Sequence, residues 1–129
     1  MSVKELHKLF LKSSGVITDS RQIKLNSIFF ALKGDNFDGN EYAKSAIEKG
    51  ASFAVIDNQT YCLNKKYIVV DDVLSCLQEL SQYHRKKLNC PVLGITGTNG
   101  KTTTKELIKA VIQKNFKTVA TKGNLNNHI

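Results

Sequence analysis

The sequence predicts an α/β protein in which short parallel strands alternate with amphipathic helices. It predicts two parts: a small α/β domain over residues 1–70, and the truncated start of a phosphate-loop (P-loop) nucleotide-binding domain over residues 71–129. Three observations lead there. Apolar runs of strand length recur between stretches with helical spacing. Clusters of Gly, Asn, Asp and Ser separate them. One glycine loop, Gly97-Thr98-Asn99-Gly100-Lys101-Thr102-Thr103, stands between an apolar run and a helical one.

The elements follow in order. Ser2 with Glu5 is a capping-box pattern, and Val3, Leu6, Leu9 and Phe10 mark one face of a helix ending near Lys12. Ser13-Ser14-Gly15 breaks it. Val16 to Thr18 is a short strand, followed by the polar turn Asp19-Ser20-Arg21, in which Asp19 is a turn-forming side chain. Ser27 to Leu32 reads as a buried strand, and Lys33 to Asn40 as a loop of turn residues. A helix is expected from about Glu41 to Lys49, stopped by Gly50. Ser52 to Ile56 and Tyr67 to Val70 are two further buried strands. Asp71 or Asp72 caps the next helix, whose apolar stripe is Val73, Leu74, Leu77, Leu80, His84 and Leu88; His84 on that stripe is structural. Pro91 to Thr96 is a buried parallel strand, the helix after the loop ends near Asn115, and Lys117 to Thr121 is a last strand before the tail Lys122–Ile129.

Composition narrows the function. An apolar fraction of 41% in 129 residues supports a packed core. No apolar run has the length of a membrane span and the N-terminus has no apolar signal segment, so a soluble, cytoplasmic protein is expected, and a monomer. Cys62, Cys76 and Cys90 sit in no metal-ligand spacing and read as reduced thiols. The net charge of +8 suits a polyanionic ligand. The basic residues are scattered, with small clusters at Lys65-Lys66 and Arg85-Lys86-Lys87, and no aromatic residues interleave them; nucleic acid is not the expected partner.

The glycine loop carries the chemistry. Glycines allow several backbone N–H groups to converge on one anion, and a helix starting there points its positive end at the same spot. Lys101 adds a charge able to reach β- and γ-phosphates, and the Thr102 hydroxyl suits Mg²⁺. A nucleoside triphosphate with Mg²⁺ is the expected ligand. The general pattern places its first glycine at position 95, which is Ile95 here; the glycines lie at 94 and 97. One strand, one loop, one helix and one further strand make a single βαβ unit, so the chain reads as a piece of a longer protein.

The loop Thr96 to Thr104 resembles the ATP loop of the Mur ligases, the ATP-dependent amide-forming enzymes of peptidoglycan precursor synthesis. Thr18-Asp19-Ser20-Arg21, then Ser27 to Gly34, then Phe37-Asp38-Gly39, then Ala46 through Gly50-Ala51 to Ile56, follow that family's order and spacing. The tail Gly123-Asn124-Leu125-Asn126-Asn127 is similar to the branch that adds D-alanyl-D-alanine. The resemblance implies that Thr18, Ser20 and Arg21 contact a uridine nucleotide, with Arg21 either contributing charge or buttressing its turn. It implies that Asp35, Asn36 and Phe37 close over that nucleotide. Gly97, Thr98, Asn99, Gly100, Lys101, Thr102 and Thr103 would hold ATP, with Lys101 catalytic and Thr102 on the metal. Asn124, Asn126 and Asn127 would line a channel between the sites or simply form a loop. The substrates implied are UDP-N-acetylmuramoyl-peptide and D-alanyl-D-alanine. The alternatives are the family branch that adds the third amino acid, and a stand-alone nucleotide-binding module.

Overall fold

The computed structural model describes residues 1–123. It divides into two compact units, the first running from Met1 to Leu88 and the second beginning at Asn89.

The first unit is an α/β layer structure. Helix α1 (Val3–Lys12) opens with the expected capping box between Ser2 and Glu5. Strands β1 (Val16–Ile17) and β2 (Ile28–Phe30) follow. The segment read as a plain loop forms a small antiparallel hairpin, β3 (Lys33–Gly34) with β4 (Phe37–Asp38). A 3₁₀ turn (Gly39–Tyr42) leads into α2 (Ala43–Glu48), so the expected helix is shorter and begins later. Strand β5 (Phe53–Ile56), a 3₁₀ turn (Gln59–Tyr61), strand β6 (Tyr67–Val69) and helix α3 (Val73–Lys87) complete it. Asp72, of the two candidates, caps α3 by accepting from the Ser75 N–H.

The sheet order is β1-β2-β5-β6, with every pairing parallel. Alternation along the strands sorts their side chains to two faces. Ile28, Phe30, Val55 and Ile68 meet Leu6 of α1 and Val73, Leu77 and Leu80 of α3. Phe29, Ala54, Ile56 and Tyr67 face Ala43 and Ala46 of α2. Alanines on α2 let that helix lie close to the sheet. Burying residues such as Ile28, Phe29, Phe30 and Ile56 stabilises the unit by about 1.5–3 kcal/mol each.

This packing moves the expected boundary after residue 70. Without α3, one face of the sheet loses half of its cover, so the compact unit extends to Leu88. At the α1–α3 contact, His7 Nε2 lies 3.0 Å from His84 Nδ1, which gives His84 the structural role expected of it.

The second unit centres on helix α4 (Lys101–Ile112), a little shorter than expected. The strands expected over residues 91–96 and 117–121 have no sheet partner among the described residues. A parallel strand exists only through its neighbours' hydrogen bonds, and Val92, Leu93 and Val119 are exposed. No helix among the described residues is long and apolar enough to cross a membrane.

Candidate functional sites

Two sites emerge, one in each unit. In the first unit, a cleft of about 460 Å³ opens at the carboxyl ends of β1 and β2, where open parallel sheets take their ligands. Thr18, Asp19, Ser20 and Arg21 form one wall; Phe29, Phe37, Gly39 and Tyr42 form the rest. Strand β1 ends just before Thr18, so the turn is delivered to the sheet edge as the strand finishes.

Asp19 organises that turn. Its carboxylate accepts from the Arg21 backbone N–H at 2.9 Å, from Arg21 Nε and Nη2 at 2.9 Å each, and from Gln22 Nε2 at 3.0 Å. The Arg21 side chain and then its backbone N–H hold the Asp19 carboxyl well below the usual carboxylate range. Arg21 therefore buttresses the turn while its guanidinium stays largely exposed on the cleft. The carbonyl of Ser20 accepts from Lys49 Nζ at 3.0 Å. The hydroxyls of Thr18 and Ser20 take no partner among the described residues.

Of the residues expected to close over a ligand, Phe37 lines the cleft, whereas Asp35 and Asn36 sit exposed at the hairpin tip and are not among the lining residues. Sequence reasoning missed Phe29, Gly39 and Tyr42 as lining residues. It also missed the buried support behind them. Asn40, fully buried, donates from Nδ2 to Asp57 Oδ1 at 2.8 Å and to Asp38 Oδ1 at 2.6 Å, and its Oδ1 accepts from the Asp57 N–H at 3.2 Å. Lys33 Nζ pairs with Asp57 Oδ1 at 2.8 Å. Burial pushes the Asp57 carboxyl up, but hydrogen bonds from Lys33 and Asn40 outweigh it and leave it below its ordinary value.

In the second unit, Gly97 and Gly100 both adopt positive φ, 147° and 75°, a region where a side chain is strained. Gly100 is also the N-cap of α4 and offers no side-chain oxygen to its first N–H groups. The first turn contains no acidic residue. An open, uncapped helix start beside a left-handed glycine turn is an anion cradle. Lys101 folds back over the loop, donating to the carbonyls of Gly97 and Thr98. Thr98 and Asn99 span the turn, and Thr102 and Thr103 lie exposed in the first helical turn. One turn further on, Lys105 Nζ donates to the carbonyls of Thr121 at 2.6 Å and Gly123 at 2.9 Å. Asn124, Asn126 and Asn127 lie outside the described residues. No group of three or more His, Cys, Asp or Glu side chains among the described residues could hold a metal.

Comparison with known proteins identifies the family. The profile of the Mur ligase family catalytic domain matches residues 12–92, and that of the Mur ligase middle domain matches residues 95–129. A UDP-N-acetylmuramoyl-tripeptide–D-alanyl-D-alanine ligase of Bacillus subtilis (strain 168) is 40% identical over 117 residues, covering 89% of this chain and 26% of that protein. Its namesake from Rickettsia prowazekii (strain Madrid E) is 37% identical, covering 86% of this chain and 25% of the relative. A diaminopimelate-adding ligase of Rickettsia typhi (strain ATCC VR-144 / Wilmington) is 38% identical over 98 residues, covering 74% of this chain and 20% of that protein. Among solved structures, the MurF ligase of Thermotoga maritima in complex with ADP superposes with a TM-score of 0.75 at 27% identity, covering 86% of this chain and 26% of that one. The UDP-N-acetylmuramoylalanyl-D-glutamyl-2,6-diaminopimelate–D-alanyl-D-alanyl ligase of Acinetobacter baumannii gives a TM-score of 0.80 at 28% identity, covering 98% of this chain and 31% of that one. This chain thus spans about a quarter of the length of the curated relatives it matches. With matching profiles over both the cleft-bearing unit and the phosphate loop, the chain belongs to the Mur ligase family.

Proposed function

We propose that this chain supplies the UDP-substrate cleft and the ATP loop of an ATP-dependent amide ligase that adds D-alanyl-D-alanine to UDP-N-acetylmuramoyl-tripeptide. The observation that carries the reading is the uncapped, left-handed glycine start of α4 under Lys101, in a chain aligned over 117 residues with a ligase of that name. The diaminopimelate-adding relatives align over shorter stretches, 98 and 104 residues, and make the branch that adds the third amino acid the second reading.

The geometry fits the chemistry. Phosphoryl transfer needs positioning and charge neutralisation more than covalent help from the protein. In the proposed reaction the peptide's terminal carboxylate takes the γ-phosphoryl group of ATP and ADP leaves. The amine of D-alanyl-D-alanine then attacks the acyl carbon and displaces phosphate. Residues Gly97 to Gly100 and the first N–H groups of α4 hold the phosphates; Lys101 swings from the loop carbonyls to the phosphoryl oxygens; Thr103 lies in the same first turn. Mg²⁺, when bound, neutralises phosphate charge, and the Thr102 hydroxyl is the ligand this chain offers it. Thr18, Ser20 and Arg21 contact the uridine nucleotide, Phe37 walls it in, and Asp35 and Asn36 reach it from the hairpin tip. UDP-linked precursors and ATP are cytoplasmic pools, so the cytoplasm is the proposed compartment.

The test is a ligation assay of the enzyme carrying this chain, with ATP, Mg²⁺, UDP-N-acetylmuramoyl-tripeptide and D-alanyl-D-alanine. Lys101→Ala removes a preorganised charge aimed at the transferring group, and the rate is expected to fall by about 10²–10³. Near-wild-type turnover in that variant contradicts the assignment of the loop. Preference for a single amino acid and the dipeptide substrate would favour the second reading.

A further inference from the structure

The cluster at the base of the β3–β4 hairpin has no part in the reaction described above, yet it is built at some cost. Asn40 has no exposed surface, and both its amide donors and its oxygen are engaged. Asp57 keeps only 10% of its side-chain surface exposed and needs Lys33, 2.8 Å away, to balance its charge. Lys33 is half exposed, so the ion pair by itself contributes little net stability, whereas removing the partners of the largely buried Asp57 carboxylate leaves that charge uncompensated, which is costly. The cluster's consequence is geometric. Lys33 begins β3 and Asp38 ends β4, so both hairpin strands are tied to one point just past β5. Neither Asn40 nor Asp57 lines the cleft.

A second observation fixes the ring at the other end of the hairpin. A Cβ on Gly34 would lie 2.5 Å from Phe37 Cε1 and 2.8 Å from Cδ1. The Phe37 ring therefore rests on the bare backbone of Gly34, and from there it lines the cleft.

We propose that Asn40 and Asp57 are positioning residues for the cleft: with Lys33 they clamp the hairpin base, and with Gly34 as its seat they present Phe37 as a fixed wall against the nucleotide. The inference rests on the uridine-nucleotide reading of the cleft. Fixing an aromatic wall before the ligand arrives removes an ordering cost from binding.

The experiment uses the full chain and two readouts. One is the affinity for UDP-N-acetylmuramoyl-tripeptide, with a non-hydrolysable ATP analogue as control. The other is hydrogen exchange at the amides of residues 33–40. Asp57→Ala is expected to speed exchange in the hairpin and weaken the UDP-linked ligand about tenfold, leaving the ATP analogue unaffected. Asp57→Asn still accepts from Asn40 and should recover most of the affinity. Gly34→Ala touches only the ring; it should weaken the same ligand about fivefold with an unchanged unfolding midpoint. That variant carries the test if Asp57→Ala does not fold. Wild-type affinity in both alanine variants, or parallel loss of the ATP analogue, overturns the proposal. A wild-type chain that fails to bind the UDP-linked peptide overturns the uridine reading instead; faster hairpin exchange in Asp57→Ala would then still establish the clamp.

Discussion

At the residue scale, single side chains show how local chemistry sets both stability and the sites. His7 is buried between α1 and α3, 3.0 Å from His84 and edge-on to Tyr83. Burial first, and then the charges of His84 and Lys87, lower its pKa from the ordinary value of 6.5. The unfolded chain therefore takes up a proton at a pH where the folded chain refuses it. Its contribution to stability is fully present above about pH 6.5 and is lost as the pH falls from there through the folded-state value. Thermal unfolding should show a lower midpoint at about pH 5.5 than at about pH 7.5, and His7→Gln should reduce that difference. An identical pH dependence in wild type and variant would show that other groups govern it. His84 was legible in the sequence as a structural residue because it lay on an apolar stripe; its partner, 77 residues earlier, was not. Asn40 was illegible for a related reason. A polar residue among turn formers looks like a loop residue, and only the fold brings Asp57 to it.

At the element scale, the strands were legible wherever apolar alternation was matched by neighbours. Ile28, Phe29 and Phe30 were read as a buried strand, and the parallel sheet buries all three by dividing them between its two faces. The hairpin β3–β4 was read as a loop because its strands are two residues each and its composition is that of a turn. Besides the polar cluster at its base, the hairpin lies close against the backbone at Gly39, whose N–H donates to the Leu32 carbonyl at 3.0 Å. A Cβ on Gly39 would lie 2.3 Å from the Leu32 carbonyl oxygen and 2.6 Å from the Ala31 carbonyl carbon. Both are backbone atoms that cannot swing aside. Gly39→Ala is expected to destabilise the first unit by about 1–3 kcal/mol, read from the urea unfolding midpoint with the slope unchanged. An unaltered midpoint would mean that the hairpin is free to lift away. The apolar runs at 91–96 and 117–121 carried the same signal as the true strands. They form no ladder because among the described residues nothing pairs with them.

At the scale of the whole molecule, the chain comprises two units, each with its own candidate site. The first is closed on both faces of its sheet by three helices and opens a cleft of hydroxyls, one guanidinium and aromatic rings. The second presents an uncapped helix start and a lysine. The second candidate site was legible in the sequence directly, since a phosphate-loop pattern is local. It located the first only in outline, since that cleft is assembled from three separated segments. The placement of α3 in the first unit was missed because its cover of Ile28 and Val55 is a long-range contact. The central claim is that these units read two different nucleotides. Ser20→Ala separates them most directly, because Ser20 lies on the cleft wall and the phosphate loop lies in the other unit. Calorimetric titrations of the chain with UDP-N-acetylmuramoyl-tripeptide and with a non-hydrolysable ATP analogue should show about tenfold weaker binding of the first and unchanged binding of the second. Equal weakening of both ligands, or of neither, would contradict the account.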